Sequence, residues 1–200
     1  MSHIDPLPAD ETPDLAAAFE QFEQILGFVP NSLLTMQRTP AIVNGFRALT
    51  EAVMEETAEV DPGFKRLVAH MASSAAGCQY CQAHSLVAAD IHGVSEEKLD
   101  ALWEYNQSDL YTEQERVALD FALAAGSVPN EVDEPLMVAM RAHWTDNEIL
   151  ELLGAISLYG FLNRWNDTLA TDLEADAREV GDRFLTDRGW DGGKHVADED

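Results

Sequence analysis

Cysteine and basic residues are both scarce in this sequence. Two cysteines among 200 residues cannot build the disulfide framework of a small secreted domain. Lys and Arg number 12 against 37 Asp and Glu, which leaves a net charge of −25. Because such a surface has no basic patch to displace counterions from phosphates, we expect no nucleic acid partner, and anionic membrane surfaces are disfavoured. We interpret the acidic excess as a solvated surface rather than as a site.

Long apolar runs are also absent. The most apolar stretch, residues 152–162, is interrupted by Gly154, Ser157 and Gly160, and no run approaches the roughly 18 residues that a membrane-spanning helix needs. The N-terminus lacks the basic start and apolar centre of a signal peptide. These absences predict a cytoplasmic protein. No glycine-rich phosphate loop appears either, and we expect no bound cofactor.

Helical periodicity dominates what is present. Apolar residues recur at helical spacing up to Gly27 and again after Pro40, and Thr112–Glu115 and Thr145–Glu148 have the pattern of capping boxes. A further helix should end at Gly77 and the next one near Gly93. No stretch alternates polar and apolar residues, so we predict no strands and an all-α fold.

The domain organisation follows from the same patterns. A chain of this length can bury a core without cross-links. We predict an extended N-terminal arm over residues 1–13, one helical domain over residues 14–186, and an acidic flexible tail over residues 187–200.

Both cysteines lie in the segment GCQYCQAHS, residues 77–85. A turn at Gly77 would place Cys78 near the start of the following helix, where free backbone N–H groups and the helix dipole favour a thiolate. Cys81 follows one turn later on the same face, and His84 one turn after that. A histidine beside a thiol pair could accept or pass on a proton near neutral pH.

Three interpretations of this segment remain open. The cysteines could be small buried residues, or Cys78, Cys81 and His84 could bind zinc with His70 as a fourth ligand. In the third interpretation, which we favour, Cys78 and Cys81 are a redox pair. Zinc sites usually draw their other ligands from a distant second motif, whereas these residues are close together in helical sequence. We therefore predict no bound metal.

The pattern Gly-Cys-x-Tyr-Cys-x-x-His resembles the signature of the carboxymuconolactone decarboxylase superfamily, in its alkylhydroperoxidase D-like, peroxidase-related branch. The segments LGFVPN (residues 26–31) and NEILELLGAISLYGFLNRWND (residues 147–167) are similar to that branch as well. The resemblance implies a single-domain helical bundle with the cysteine pair at the start of a core helix. It also implies a homo-oligomer, trimer or hexamer, that reduces hydroperoxides and is recharged by a dithiol or disulfide reductant.

The resemblance also implies residue roles. Cys81 would attack the peroxide, Cys78 would be the more exposed partner that closes the disulfide, and His84 would relay the proton. Where the family carries a glutamate as proton acceptor, this chain has Arg66. His70, one turn later, could replace that glutamate, or Arg66 could stabilise a thiolate by its charge.

We therefore predict a thiol-dependent peroxidase. One alternative is a non-catalytic member that binds zinc or has a structural role. The other is a decarboxylase like the namesake of the superfamily, which we rank lower because that branch does not depend on a Cys-x-x-Cys pair.

Overall fold

The computed structural model describes residues 2–54 and 59–196. Within these residues all regular secondary structure is helical, as predicted. None of the helices in this part of the chain combines the length and the apolar character that crossing a bilayer requires. The α-helices are α1 (Ala16–Leu26), α2 (Asn31–Met36), α3 (Pro40–Val53), α4 (Pro62–Ala76), α5 (Gln79–Ile91), α6 (Glu96–Asp100), α7 (Glu113–Gly126), α8 (Glu134–His143), α9 (Asp146–Leu169) and α10 (Ala175–Leu185).

Local signals set the ends of several helices. Gly27 and Gly77 have φ values of +83° and +75° and terminate α1 and α4, because glycine adopts the left-handed conformation without steric cost. The capping boxes Thr112–Glu115 and Thr145–Glu148 are both formed, at the starts of α7 and α9. These four predictions are confirmed.

Helix α4 is the centre of the fold. It packs against α5, α7 and α9, and every residue from Gly63 to Ser73 is buried. Burial of apolar side chains on all sides of one helix, at roughly 25 cal/mol per Å² of apolar area, contributes a large share of the folding free energy. The contact with α7 is close enough that a Cβ atom on Gly126 would lie 2.7 Å from the carbonyl oxygen of Ala72.

Proline and serine precede two of the shorter helices. α2 begins at Asn31 after Pro30, whose carbonyl accepts from the N–H groups of Leu33 and Leu34 at 2.9 and 3.2 Å. Ser95 caps α6, which ends at Asp100 and is followed by a separate 3-10 turn, Leu102–Glu104.

The predicted flexible tail is wrong for residues 187–196. Trp190 and His195 are buried, the Trp190 indole donates to the carbonyl of Gln79 at 3.0 Å, and Leu173 N–H donates to the carbonyl of His195 at 2.8 Å. Two aromatic side chains within the acidic segment provide enough apolar surface to hold it on the helices. Residues 197–200 lie outside the described residues.

The N-terminal arm contains no helix before Pro13 in its described residues, 2–12. Backbone hydrogen bonds tie it to the helices: Leu7 N–H donates to Leu34 at 3.1 Å, and His3 N–H donates to Leu169 at 2.8 Å.

Candidate active site

The turn between α4 and α5 positions the two cysteines. After the left-handed Gly77, Cys78 N–H donates to the carbonyl of Ser73 at 3.1 Å, and Cys78 is the N-cap of α5. The backbone N–H of Cys81 points at Cys78 Sγ, 3.4 Å away. The prediction that the motif begins a core helix is confirmed. Both cysteines are free thiols.

The two thiols differ in what they face rather than in exposure. Cys78 is 0% exposed and Cys81 is 1% exposed, so the expectation that Cys78 is the more exposed of the two is not met. Cys81 lines a cavity of about 520 Å³, whereas Cys78 is not among the residues that line it. A small molecule in this cavity would therefore meet Cys81.

The cavity has a mainly apolar wall with a polar patch around Cys81. The polar patch includes Tyr80, His84 and Asn166. The volume of the cavity lies within the roughly 300–1,000 Å³ typical of small-molecule sites. The apolar lining includes Phe22, Ile25, Leu33, Phe46, Leu158 and Leu162.

The surroundings of Cys81 favour the neutral thiol. Burial raises its pKa well above the ordinary value, and the neighbouring Cys78 and the charge of Asp167 act in the same direction. Asn166 opposes them, since its Nδ2 lies 3.6 Å from Cys81 Sγ and lowers the pKa. The backbone N–H group at the start of α5 thus donates to the sulfur of Cys78. The sulfur of Cys81 instead accepts from the side chain of Asn166, on α9.

His84 is held at both ring nitrogens. Nδ1 lies 3.0 Å from the carbonyl oxygen of Tyr80, and Nε2 lies 2.9 Å from Glu174 Oε2 in an ion-pair contact that is poorly aligned for a hydrogen bond. The ring also stacks on the Tyr80 ring, with centroids 4.0 Å apart. Because a carbonyl oxygen only accepts, Nδ1 carries a proton.

Glu174, the residue before α10, connects three parts of the site. Besides contacting His84, it accepts hydrogen bonds from the Tyr80 hydroxyl at 2.9 Å and from the backbone N–H of Asn31. Burial by itself would raise the pKa of Glu174, but the charge of His84 and the hydrogen bond from the Asn31 N–H bring the pKa below its ordinary value. The site therefore contains a partly buried carboxylate that remains ionised.

His70 lies apart from this group. It is fully buried, its Nδ1 lies 3.1 Å from both the Gln82 carbonyl oxygen and Ser85 Oγ, and its ring meets Trp103 edge to face. Burial lowers its pKa to about 4, so the ring is neutral at pH 7. The described residues contain no group of three or more His, Cys, Asp or Glu side chains arranged to hold a metal ion. The structure thus does not assemble the four ligands of the zinc interpretation.

Comparison with known proteins agrees with this architecture. Residues 40–124 match the family model for the carboxymuconolactone decarboxylase family. The chain is 32% identical to the debrominase Bmp8, solved as a Cys-to-Ala variant in complex with 2,3,4-tribromopyrrole; the alignment covers 90% of this chain and 96% of that one, with a TM-score of 0.86. The chain belongs to the carboxymuconolactone decarboxylase family.

Two further proteins are similar to this chain as well. A peroxidase-related protein from Ralstonia eutropha JMP134 with an alkylhydroperoxidase AhpD core is 25% identical over 92% of this chain and 95% of its own, with a TM-score of 0.76. YnjA of Escherichia coli (strain K12) is 32% identical over 111 residues, which are 55% of this chain and 60% of YnjA. The match to YnjA thus spans less than two thirds of its length. The predicted family and fold are confirmed.

The position at which the family pattern expects a glutamate is Arg66. Its side chain lines the cavity, and its Nη1 donates to the carbonyl of Pro62 at 2.9 Å. The carboxylate that faces His84 in this structure is that of Glu174, the residue before α10, a helix that the sequence patterns did not predict. No sequence signal singled out Glu174. Asn166 lay in the segment that resembles the family, but nothing in the sequence indicated its contact with sulfur.

Proposed function

We propose that this protein is a thiol-dependent oxidoreductase that reduces organic hydroperoxides with Cys78 and Cys81. The observation that carries the proposal is the position of Cys81 in the wall of an apolar cavity, with a second free thiol one helical turn away. An apolar cavity favours an organic molecule, and two adjacent thiols can supply the two electrons that a peroxide bond accepts.

The proposed cycle has three steps. The Cys81 thiolate attacks the terminal oxygen of the hydroperoxide, the O–O bond breaks, and the alkoxide leaves, so that Cys81 becomes a sulfenic acid. The Cys78 thiol then attacks this sulfur and releases water as the disulfide forms. A dithiol reductant reopens the disulfide by exchange and is itself oxidised. Each cycle converts one hydroperoxide into one alcohol and one water.

His84 is the proposed proton donor to the leaving alkoxide. It lines the same cavity as Cys81, and its Nε2 lies 2.9 Å from Glu174 Oε2. Replacing Glu174 with Gln keeps an acceptor for Tyr80 and Asn31 but removes the charge that faces His84. We expect kcat for hydroperoxide reduction to fall about 100-fold. An unchanged kcat would show that proton donation by His84 does not depend on the charge of Glu174. The proposed cycle does not use His70, whose ring contacts Gln82, Ser85 and Trp103.

Thiol counting tests the function directly. One equivalent of cumene hydroperoxide should lower the number of free thiols from two to zero. Cys78→Ser should stop at the sulfenic acid, which dimedone traps as an adduct visible by mass spectrometry, whereas Cys81→Ser should consume no hydroperoxide. A Cys81→Ser protein that reacts at the parent rate would refute the assignment. Metal analysis of protein purified without chelator tests the zinc alternative, since stoichiometric zinc would contradict a free dithiol.

Similarity to the debrominase Bmp8 favours a second candidate, reductive debromination of an aromatic ring. In that reaction the ring carbon would take up a proton while the Cys81 thiolate takes the bromine. Cys78 would then displace bromide from sulfur, forming the same disulfide. The products balance as one debrominated ring, one bromide, one proton and one disulfide. Release of bromide from 2,3,4-tribromopyrrole, without consumption of cumene hydroperoxide, would replace the first candidate with this one.

We also propose that the protein is a homo-oligomer that associates through α9. This helix exposes Leu150, Leu153 and Phe161, whose spacing places them on one face of the helix, and apolar side chains grouped on an exposed face are typical of interaction sites. Residues 152–166 contain no acidic residue, although the chain has 37. An equally acidic second copy would meet less repulsion here than at a face that carries carboxylates.

A further inference from the structure

Asn166 contacts the sulfur that faces the cavity. It lies in the last turn of α9, is 1% exposed, lines the cavity, and places Nδ2 3.6 Å from Cys81 Sγ. Asn163, one turn earlier, is also buried but is not among the cavity-lining residues. The two asparagines therefore differ in the environment that their side chains meet.

The other polar atom of the Asn166 amide has no partner. Its Oδ1 is buried and accepts no hydrogen bond from the described residues. An unsatisfied buried acceptor costs roughly 1–3 kcal/mol, and most buried polar atoms in folded proteins avoid this cost. A ligand in the cavity that carries an O–H or N–H group would supply the missing donor.

Cys81 needs a group that stabilises its thiolate. Burial, Cys78 and Asp167 all oppose ionisation of this thiol, and the Asn166 amide acts against them. Hydrogen bonds to an ionised acceptor are roughly twice as strong as those between neutral groups. The bond from Nδ2 should therefore strengthen when Cys81 loses its proton.

We propose that Asn166 is a catalytic residue that stabilises the Cys81 thiolate through Nδ2 and binds a substrate O–H or N–H donor through Oδ1. The inference rests on the proposed function. In a hydroperoxide the O–H group is on the terminal oxygen, so Asn166 would direct the thiolate to that oxygen and leave the alkoxide as the leaving group. The substrate class is thus one with a hydrogen-bond donor at or next to the atom that sulfur attacks.

Two electrophiles separate the two roles of Asn166. In a Cys78→Ser background, where Cys81 is the remaining thiol, the rate constants with N-ethylmaleimide and with cumene hydroperoxide are measured at one pH. N-ethylmaleimide has no O–H or N–H group, so its rate of alkylation reports the thiolate alone, whereas the hydroperoxide needs the thiolate and also offers a donor to Oδ1. The variants are Asn166→Leu, which keeps the approximate shape, and Asn163→Leu as the matched control. Asn166→Ala is the second variant in case leucine disturbs the packing, and thermal melting verifies that each is folded.

We expect Asn166→Leu to slow alkylation about tenfold and the hydroperoxide reaction about 100-fold, since each lost hydrogen bond corresponds to about 1.4 kcal/mol. Asn163→Leu should leave both rates within about twofold of the background. Alkylation at the background rate in both Asn166 variants would overturn thiolate stabilisation. Equal losses with the two electrophiles would overturn the substrate contact. A parent protein that is alkylated but does not react with hydroperoxide would refute the proposed function. The alkylation rates of the variants would still test whether Asn166 stabilises the Cys81 thiolate.

Discussion

His70 should make the fold sensitive to mild acid. Its ring is fully buried, and its Nε2 has no hydrogen-bond partner among the described residues. Protonation would place a charge on a nitrogen that nothing solvates, and burial accordingly lowers the pKa of His70 from 6.5 to about 4. Between these two values the unfolded chain binds a proton at this position and the folded protein does not.

The sign and size of the effect follow from that difference. Because the folded-state pKa is the lower one, the stabilisation is present above pH 6.5 and is lost as the pH falls towards 4. Each pH unit in this window costs about 1.4 kcal/mol, so the full loss is about 3.5 kcal/mol, with about 2.5 kcal/mol lost by pH 4.5. This is a large part of the roughly 5–15 kcal/mol by which domains are stable.

Urea unfolding at a series of pH values from 7.5 to 4.5 measures the loss. We expect His70→Asn to be less stable than the parent at pH 7, because it leaves a small void, while its amide can still donate to the Gln82 carbonyl. Between pH 7.5 and 4.5 its free energy of unfolding should fall by about 2.5 kcal/mol less than that of the parent. His143→Asn, at an exposed histidine on α8, is the control and should follow the parent curve. If the curves of His70→Asn and the parent run parallel, His70 is not the source of the acid sensitivity.

Two further substitutions test the packing and the assembly. Gly126→Ala should cost about 1–3 kcal/mol in thermal or urea unfolding, because its Cβ would meet the backbone of Ala72. Gly45→Ala, in a helix with open space around it, should instead stabilise by about 0.5–1 kcal/mol, and equal effects of the two would contradict the close α4–α7 contact. Leu153→Glu should shift the protein towards the monomer in light scattering coupled to size exclusion, whereas Val138→Glu, at an exposed apolar residue of α8, should not. A Leu153→Glu protein with the parent mass would refute association through α9.

Much of the helical framework was predictable from short-range signals. The ends of α1 and α4 followed from single glycines, and the starts of α7 and α9 followed from threonine and glutamate three residues apart. The position of Cys78 at a helix start followed in the same way. The prediction was wrong for residues 187–196, where Trp190 and His195 make contacts with residues far along the chain. The acidic composition of this segment gave no indication of those contacts.

The candidate site was predictable only in part. The cysteine motif and His84 were identified because they lie within one short segment. Glu174 and Asn166 were not, because each meets that segment from a helix or helix end far along the chain. His70 was predicted to belong to the site because it follows Arg66 by one turn of α4. In the structure its ring contacts Ser85 and Trp103.

The sequence by itself determined most of the helical segments, although not α10, and it indicated that two thiols stand one turn apart at a helix start. Caps, glycine conformations and helical periodicity act between residues that are close along the chain, so the sequence contains these signals. The tertiary structure alone decided that Cys81, and not Cys78, lines the cavity, that Asn166 contacts Cys81 Sγ, and that Glu174 faces His84. Burial and electrostatic environment depend on segments that are far apart along the chain and pack together, so short-range patterns do not specify them.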